Sequence, residues 1–176
     1  MKDDNLPQRM ALIEILVLDV DGVLTDGRIS YGDGEQEYKS FHVRDGSALR
    51  WWQDLGKQVA LITGRDSPIV ARRARELGIA SVFQGQVKKL PALKQLLART
   101  GFSAQQVCAM GDDLPDIPVL REAGVAIAVA DACPEVCAQA DWTTTARGGH
   151  AAVREAIERL LQAQGLWARL IEQVTT

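Results

Sequence analysis

A chain of 176 residues is long enough for one domain with a sizeable hydrophobic core. Its 20 Lys and Arg residues and 23 Asp and Glu residues give a net charge of -3, so the composition gives no support to nucleic-acid binding. Residues 1–10 are polar and lack the apolar stretch of a secretory signal, and no run reaches the roughly 20 apolar residues that span a bilayer. Cys108, Cys133 and Cys137 form no Cys-x-x-Cys pair, which favours free thiols in a reducing compartment. We therefore expect a cytoplasmic protein without a membrane partner.

The first predicted element is an apolar strand over residues 13–18, interrupted at Glu14. It runs directly into Asp19 and Asp21, and Gly22 follows. Because parallel-sheet proteins bind ligands at the carboxyl ends of their strands, we expect both carboxylates at such a site. Two carboxylates this close repel each other unless a cation or a shared proton neutralises them. An Asp-Gly turn with a capping aspartate is the alternative explanation of the same residues.

Residues 28–43 predict a β-hairpin. Ile29 and Tyr31 alternate with polar residues before a glycine turn at 32–34, and Tyr38 and Phe41 do so less regularly after it. The hairpin is expected to project from the domain as a flap, since it is not part of a crossover between strands.

Helices and strands alternate through the rest of the chain, with capping residues or prolines at helix starts and glycines at helix ends. The predicted helices cover 45–55 (capped by Asp45), 67–78, 89–100, 114–123, 134–140 and 151–164, and the predicted strands cover 58–63, 81–83, 107–110, 125–129 and 142–144. This alternation predicts an α/β fold, a doubly wound (Rossmann-like) parallel sheet in a single domain over 1–176. No element is predicted for the tail, 165–176, although it is too apolar for a free end.

Side chains that carry chemistry follow four of the predicted strands: Asp19 and Asp21, Thr63, Lys88 and Lys89, and Asp112 and Asp113. Carboxylates, a hydroxyl and an ammonium at one sheet edge suit phosphoryl transfer, in which one carboxylate attacks phosphorus and forms an acyl phosphate. A second carboxylate can protonate the leaving alcohol and then activate a water molecule. Magnesium offsets the repulsion between carboxylate and phosphate, and Thr63 and a lysine can hold phosphate oxygens.

These strand ends resemble the motifs of the haloacid dehalogenase superfamily: residues 19–25 the first, Thr63 the second, Lys89 the third and residues 111–116 the fourth. The resemblance implies that Asp19 is the nucleophile and Asp21 the general acid and base. It also implies a magnesium ion held by Asp19, the Asp21 carbonyl and Asp112. An aspartate at position 21 is typical of the phosphatases of the superfamily, since its ATPases usually have threonine there.

The same resemblance assigns the remaining polar residues of the motifs. Asp113 and Asp116 are implied to be supporting acids. The family spacing, Gln-Gly followed by three residues and then Lys-Leu, selects Lys89 and leaves Lys88 as a solvated neighbour.

A narrower resemblance covers nearly the whole chain and points to the capless 3-deoxy-D-manno-octulosonate 8-phosphate phosphatases. It rests on residues 24–27, 41–46, 63–65, 129–132, 148–149 and 152–155. It implies release of a free sugar acid and phosphate in lipopolysaccharide precursor synthesis. It also implies a homotetramer in which hairpins and tails help to complete the neighbouring active sites.

An anionic sugar acid needs cationic side chains near its carboxylate, and the family match points to Arg65 and Arg73. Arg73 also lies between Val70 and Leu77 on the apolar side of its predicted helix, an unusual place for a charge without a role. His42 is expected to pack within the hairpin or to line the substrate, and a substrate contact at His150 stays open.

Three alternatives stay open at this point. A phosphatase of a nine-carbon sialic-type acid 9-phosphate shares the same motifs. A receiver-like phosphoacceptor domain also combines acids, a threonine and a lysine on a doubly wound sheet, although Thr63 occupies the place of its acceptor aspartate. A non-catalytic assembly subunit with the same fold is the third.

Overall fold

The structure, a computed structural model, describes residues 5–34 and 36–175. Residues 1–4, Glu35 and Thr176, which belong to the N-terminal segment, the hairpin and the tail considered above, lie outside the described residues. The strands are β1 (Ile15–Leu18), β2 (Ser30–Tyr31), β3 (Glu37–Tyr38), β4 (Gln58–Ile62), β5 (Ser81–Phe83), β6 (Val107–Gly111), β7 (Val125–Ala128) and β8 (Trp142–Thr143). The helices are α1 (Leu6–Ala11), α2 (Val43–Asp54), α3 (Pro68–Leu77), α4 (Lys89–Thr100), α5 (Ile117–Glu122), α6 (Pro134–Cys137), α7 (Ala152–Ala163) and α8 (Trp167–Thr175).

Six strands of the described residues form one parallel sheet in the order β5-β4-β1-β6-β7-β8. β1 lies at the centre, paired with β4 on one side and β6 on the other. Helical crossovers connect the strands, as a parallel sheet requires. The doubly wound α/β fold predicted from the sequence is confirmed.

Both faces of the sheet are buried, as two successive residues of β1 show. Leu16 belongs to one buried cluster, together with Trp52 of α2 and Ile157 of α7. Val17 belongs to a second cluster, together with Leu93 of α4. Since successive strand residues point to opposite faces, helices must cover the sheet on both sides. This burial explains the continuous apolar run of the central strand and leaves the strand ends for polar side chains.

Helix α2 begins earlier than predicted. His42 is its N-cap, because the ring Nδ1 accepts a hydrogen bond from the Arg44 amide at 3.2 Å. Asp45, predicted as the cap, is instead buried in the first turn of α2 and accepts a hydrogen bond from the Arg154 amide at 2.8 Å. The prediction for Asp45 is wrong because its carboxylate caps a different helix, α7, and not the helix that contains it.

Residues 114–123, predicted as one helix, divide into a 3₁₀ turn, Leu114–Asp116, and the short helix α5. The two prolines of the segment, Pro115 and Pro118, lie in the first turns of these two pieces, where the missing amide hydrogen costs little. Helix α6 ends at Cys137 rather than at Ala140.

Helices α1 and α8 were not predicted from the sequence. Each is short and is held by buried apolar side chains, Met10 in α1 and Leu170 in α8. The guanidinium of Arg154 lies 5.3 Å from the Trp167 ring centroid and 4.3 Å from the Trp51 ring centroid, so it also ties α8 to α2 and α7. Among the described residues, no helix has the length and apolar character needed to cross a membrane.

The predicted hairpin is present as a separate antiparallel pair of strands, β2 and β3. The paired part is short, with Ser30 opposite Tyr38 and Tyr31 opposite Glu37. Gly34 at the tip has a φ of +74°, a left-handed conformation that glycine adopts readily. The hairpin has little core of its own, because Tyr31 and Tyr38 are 71% and 55% exposed. Two ion pairs with the loops at the carboxyl ends of the strands hold the hairpin in place, Lys39 with Asp21 and Glu37 with Arg65.

Candidate active site

The turn after β1 directs two aspartates toward the carboxyl edge of the sheet. The amides of Leu24 and Thr25 both donate to the Val20 carbonyl at 3.0 Å, which curls the chain tightly after Asp19. Gly22 has a φ of +106°, and a Cβ at this position would lie 2.0 Å from Asp112 Oδ2. The glycine is required on both counts, since any other side chain would be strained and would collide with the Asp112 carboxylate.

The loop that contains Gly148 and Gly149 packs against this turn. The Gly149 amide donates to the Val23 carbonyl at 2.9 Å. A Cβ at Gly148 would lie 1.7 Å from the Gly22 carbonyl oxygen. The two backbones are therefore in direct contact, and Gly148 and Gly149 form a close backbone support for the first motif.

Lys89, the first residue of α4, connects two of the acids. Its ammonium lies 2.5 Å from Asp19 Oδ1 and 2.6 Å from Asp116 Oδ1, and the lysine is 5% exposed. Lys88 is exposed to solvent. The other oxygen of Asp116 accepts the amides of Asp112 and Asp113, at 3.0 and 3.2 Å. Asp116 thus has both oxygens occupied and orders the loop that carries Asp112.

These groups surround a cavity of about 330 Å³. All of the predicted site residues except Arg73 line it, namely Asp19, Asp21, Thr63, Arg65, Lys89, Asp112, Asp113 and Asp116. Thr63 directly follows β4, with its amide bonded to Phe83 and its carbonyl to Gln86, so its backbone is fixed beside the cavity. Asp113 caps the 3₁₀ turn by accepting the Leu114 amide at 2.8 Å.

Two carboxylates of the cavity, Asp19 and Asp112, have raised pKa values. Burial raises the pKa of Asp19 to about 6, although the nearby Lys89 ammonium opposes the shift. Burial, reinforced by the negative charges of Asp19 and Asp116, raises the pKa of Asp112 to about 8. Burial alone would lower the pKa of Lys89, but the two carboxylates beside it raise its pKa above the ordinary value. The site therefore carries more negative charge than one lysine balances.

The donor set fits a hard divalent cation. Oxygens of Asp19, Asp112 and Asp116 lie within 4.8 Å of one another. Asp112 Oδ1 is buried and has no hydrogen-bond partner among the described residues, so it is available as a ligand. Magnesium prefers carboxylate, carbonyl and water oxygens. Because Asp116 is already engaged with Lys89 and two amides, Asp19 and Asp112 are the better candidates for direct ligands.

The structure separates the two arginines predicted to bind substrate. Arg65 lines the cavity and forms an ion pair with Glu37 of the hairpin at 3.2 Å. Arg73 lies in a neighbouring groove, with its guanidinium 5.6 Å from the Phe41 ring centroid and 3.4 Å from Glu76. Within one chain, Arg73 does not reach the cavity that holds the aspartates.

Two hairpin residues beside the cavity, Glu37 and Lys39, were missed in the sequence analysis. Lys39 forms an ion pair with Asp21. Glu37 contacts Arg65 and also accepts the Ser67 hydroxyl at 3.2 Å. Glu37 and Lys39 stand on either side of Tyr38 in the sequence, but only the fold shows that Arg65 and Asp21 lie beside them.

Neither histidine lies in the cavity lining. His42 caps α2, as described above. The Nδ1 atom of His150 lies 2.8 Å from the Gly148 carbonyl oxygen, within its own loop, and the residue is exposed. The structure thus gives both histidines local backbone contacts.

Comparison with known proteins identifies the family. The family model of haloacid dehalogenase-like hydrolases matches residues 74–157. The 3-deoxy-D-manno-octulosonate 8-phosphate phosphatase KdsC of Escherichia coli K12 is 45% identical over 153 residues, which cover 87% of this chain and 81% of that protein. The chain belongs to this phosphatase family of haloacid dehalogenase-like hydrolases.

Solved structures of the family share the fold at nearly full length. The enzyme of Moraxella catarrhalis, in complex with a magnesium ion, a phosphate ion and KDO, is 41% identical with a TM-score of 0.95, over 98% of this chain and 99% of that chain. The cobalt-bound phosphatase YrbI of Haemophilus influenzae is 40% identical with a TM-score of 0.89, over 94% and 99%. The receiver domain and the non-catalytic subunit lose their support, because these relatives are phosphatases.

Proposed function

We propose that the chain is a magnesium-dependent phosphatase that hydrolyses 3-deoxy-D-manno-octulosonate 8-phosphate to the free sugar acid and phosphate, in lipopolysaccharide precursor synthesis. The observation that carries this proposal is the full-length match to the Moraxella catarrhalis enzyme, whose structure contains magnesium, phosphate and KDO. The buried acids beside Lys89, Asp19 and Asp116, supply the nucleophilic and supporting carboxylates that such an enzyme needs.

Asp19 is the proposed nucleophile. One of its oxygens is held by Lys89 at 2.5 Å, which fixes the orientation of the carboxylate at the floor of the cavity. The Lys89 ammonium also lowers the repulsion between this carboxylate and an approaching phosphate dianion. Attack of an Asp19 oxygen on phosphorus breaks the bond to the sugar oxygen and leaves an aspartyl phosphate on the enzyme.

Asp21 is the proposed general acid and base. Its carboxyl group lines the same cavity, and one of its oxygens is buried without a hydrogen-bond partner among the described residues. It gives a proton to the sugar oxygen that leaves. It then takes a proton from the water molecule that hydrolyses the aspartyl phosphate, so that the catalyst is regenerated in each cycle.

Asp19, Asp112 and the Asp21 carbonyl would hold the magnesium ion. When bound, the ion offsets the negative charge of the carboxylates and of the phosphate. Thr63 at the end of β4 is proposed to hold a phosphate oxygen through its hydroxyl. Asp113 and Asp116 are proposed as supporting acids that order the loop after β6.

Arg65 and Arg73 are proposed to bind the carboxylate end of the sugar acid. Arg65 supports this role directly, because it lies at the cavity and is partly exposed. Arg73 lies in the adjacent groove beside Phe41. We propose that the sugar acid extends from the phosphate position toward this groove. Alternatively, in a homotetramer, Arg73 of a neighbouring subunit lies beside the cavity that Arg65 lines.

A homotetramer in the cytoplasm is the proposed assembly and location. Exposed apolar side chains lie on the hairpin, Tyr31 and Tyr38, and in the cavity lining, Val87. Such side chains suit contact with another subunit. The three cysteines are free, as suits a reducing compartment.

The test is phosphate release from a panel of sugar phosphates, with magnesium and with chelator. The panel includes the 8-phosphate of the eight-carbon acid and the 9-phosphate of a nine-carbon sialic-type acid. Preference for the eight-carbon substrate, lost with chelator, is the expected result. Preference for the nine-carbon acid would keep the mechanism and change the substrate, and no release from any member would overturn the proposal.

A further inference from the structure

The hairpin places a fully buried lysine against one of the site aspartates. The Lys39 side chain has 0% exposure, and its ammonium pairs with Asp21 Oδ1. A second carboxylate, that of Glu37, lies 3.8 Å away. A buried ammonium is costly unless it is paired, so these contacts must be maintained in the folded protein.

Lys39 contacts Asp21 without being one of the described residues that line the cavity. Asp21 itself lines the cavity. One oxygen of Asp21 is held by Lys39, and the other, Oδ2, has no hydrogen-bond partner among the described residues. The lysine thus leaves one oxygen of the carboxyl group available for proton transfer.

The chain around Lys39, just after β3, is also tied to the segment that follows β4. Glu37, two residues earlier, contacts Arg65 at 3.2 Å and the Ser67 hydroxyl at 3.2 Å. Arg65 and Ser67 both belong to the segment between β4 and α3. Residues 37–39 are therefore anchored to this segment through Glu37 and to the turn that carries Asp21 through Lys39.

We propose that Lys39 is a positioning residue, which the hairpin supplies to fix the orientation of the Asp21 carboxyl group for proton transfer. This inference rests on the role proposed for Asp21. It explains why a flap with two-residue strands and exposed tyrosines keeps a buried cation next to the site. Loss of Lys39 then slows the steps that use Asp21 and leaves phosphate binding nearly unchanged.

The experiment is a double-mutant cycle on the full chain with magnesium, using Lys39→Met, Asp21→Asn and the double variant. We expect Lys39→Met to lower kcat by about 10- to 100-fold, with KM nearly unchanged. This is less than the roughly 10²- to 10⁴-fold that a positioned acid–base group contributes, because Asp21 itself is still present. In the Asp21→Asn background, the same substitution should have no further effect. Lys39→Arg should restore part of the loss, and Lys88→Met, which removes an exposed lysine, should leave kcat unchanged.

A leaving-group comparison separates positioning from simple anchoring of the hairpin. In single-turnover experiments, formation of the aspartyl phosphate from an alkyl phosphate needs an acid, whereas p-nitrophenyl phosphate has a leaving group that departs without one. Lys39→Met should slow the alkyl ester and spare the aryl ester. Equal loss for both esters, or an equal loss with and without Asp21, would overturn the proposal and leave Lys39 as a structural anchor.

The test of Lys39 must not depend on the folding of one variant or on the identity of the sugar substrate. If Lys39→Met does not fold, as judged by circular dichroism, Lys39→Gln is measured by the same criteria, since it keeps a hydrogen-bond donor without the charge. The cycle uses any alkyl phosphate that the wild type hydrolyses. If the proposed sugar substrate is wrong, the substrate panel will show it, and the result for Lys39 will not be affected.

Discussion

Asp45 of α2 accepts a hydrogen bond from the Arg154 amide at the start of α7, at 2.8 Å, although the two residues are 109 positions apart. The first amides of a helix have no partner within it, and a carboxylate there satisfies them and complements the helix dipole. Ala151, just before α7, has a φ of +73° and leaves no side-chain cap of its own. Asp45 is therefore the cap of α7, supplied from another helix.

Replacing Asp45 by alanine should destabilise the fold. We expect a loss of about 1 to 2 kcal/mol in the free energy of unfolding, as for removal of an N-terminal cap. Asp45→Asn keeps an oxygen acceptor and should lose less. Urea denaturation measures both, with Asp54→Ala as the matched control, because Asp54 is exposed at the other end of the same helix. Equal losses for Asp45→Ala and Asp54→Ala would contradict the capping role.

Gly22→Ala should impair magnesium binding more than its backbone strain alone explains. A left-handed conformation costs a residue with a Cβ about 1 to 2 kcal/mol, and Gly22 has a φ of +106°. In addition, the new methyl group would meet Asp112 Oδ2 at 2.0 Å and displace that carboxylate. Gly56→Ala is the control, since Gly56 has a φ of +81° and nothing within 4 Å of its Cβ position.

Isothermal titration with magnesium distinguishes the two glycine variants. Both should lose stability through backbone strain, and Gly22→Ala should lose more because of the collision with Asp112. Only Gly22→Ala should lose magnesium affinity and activity. If both variants bound magnesium as the wild type does, the close contact with Asp112 would have no functional consequence.

The sheet and the strand-end residues could be predicted because they depend on local patterns. The apolar run of β1 and the residues after it, from Asp19 to Gly22, are contiguous in the sequence. Helices with capping or proline signals at the start and glycine at the end, such as α3, were predicted close to their observed bounds. A parallel sheet then requires the strand ends to share one edge.

The features that were missed depend on contacts between distant segments. Asp45 looks like a local cap in the sequence, and only its contact with α7 reveals its use. The α8 helix is held by Leu170 and Trp167 against α7, and its short apolar pattern does not determine a helix by itself. Lys39 looks like an ordinary hairpin charge until the fold brings Asp21 beside it.

The effect of magnesium on stability should increase with pH. The folded-state pKa values of Asp19 and Asp112, about 6 and about 8, exceed the ordinary value of 3.8. Because the folded state binds these protons more tightly than the unfolded state does, their stabilising contribution is complete below pH 3.8 and is lost as the pH rises through 6 and 8. The metal-free protein should therefore be less stable at pH 8 than at pH 6.

Magnesium needs the ionised carboxylates, so it should reverse this loss. At a concentration of 100 times its dissociation constant, a bound ligand contributes about 2.7 kcal/mol. Thermal unfolding at pH 6, 7 and 8, with and without magnesium, tests this. Asp112→Asn should stabilise the metal-free protein at pH 8 and remove the response to magnesium. A magnesium response that is independent of pH, or one that persists in Asp112→Asn, would contradict the assignment.

Asp19→Asn should abolish turnover and leave the fold intact. The substitution keeps the size of the side chain and an oxygen near Lys89, which retains Asp116 as a partner at 2.6 Å. An amide cannot attack phosphorus as the carboxylate does, so no phosphoenzyme should form. Rapid-quench detection of acid-stable phosphate on the protein, together with circular dichroism, measures both expectations. Asp66→Asn, at an exposed aspartate outside the cavity lining, is the control and should retain full activity. Turnover by Asp19→Asn at the wild-type rate would require a different nucleophile.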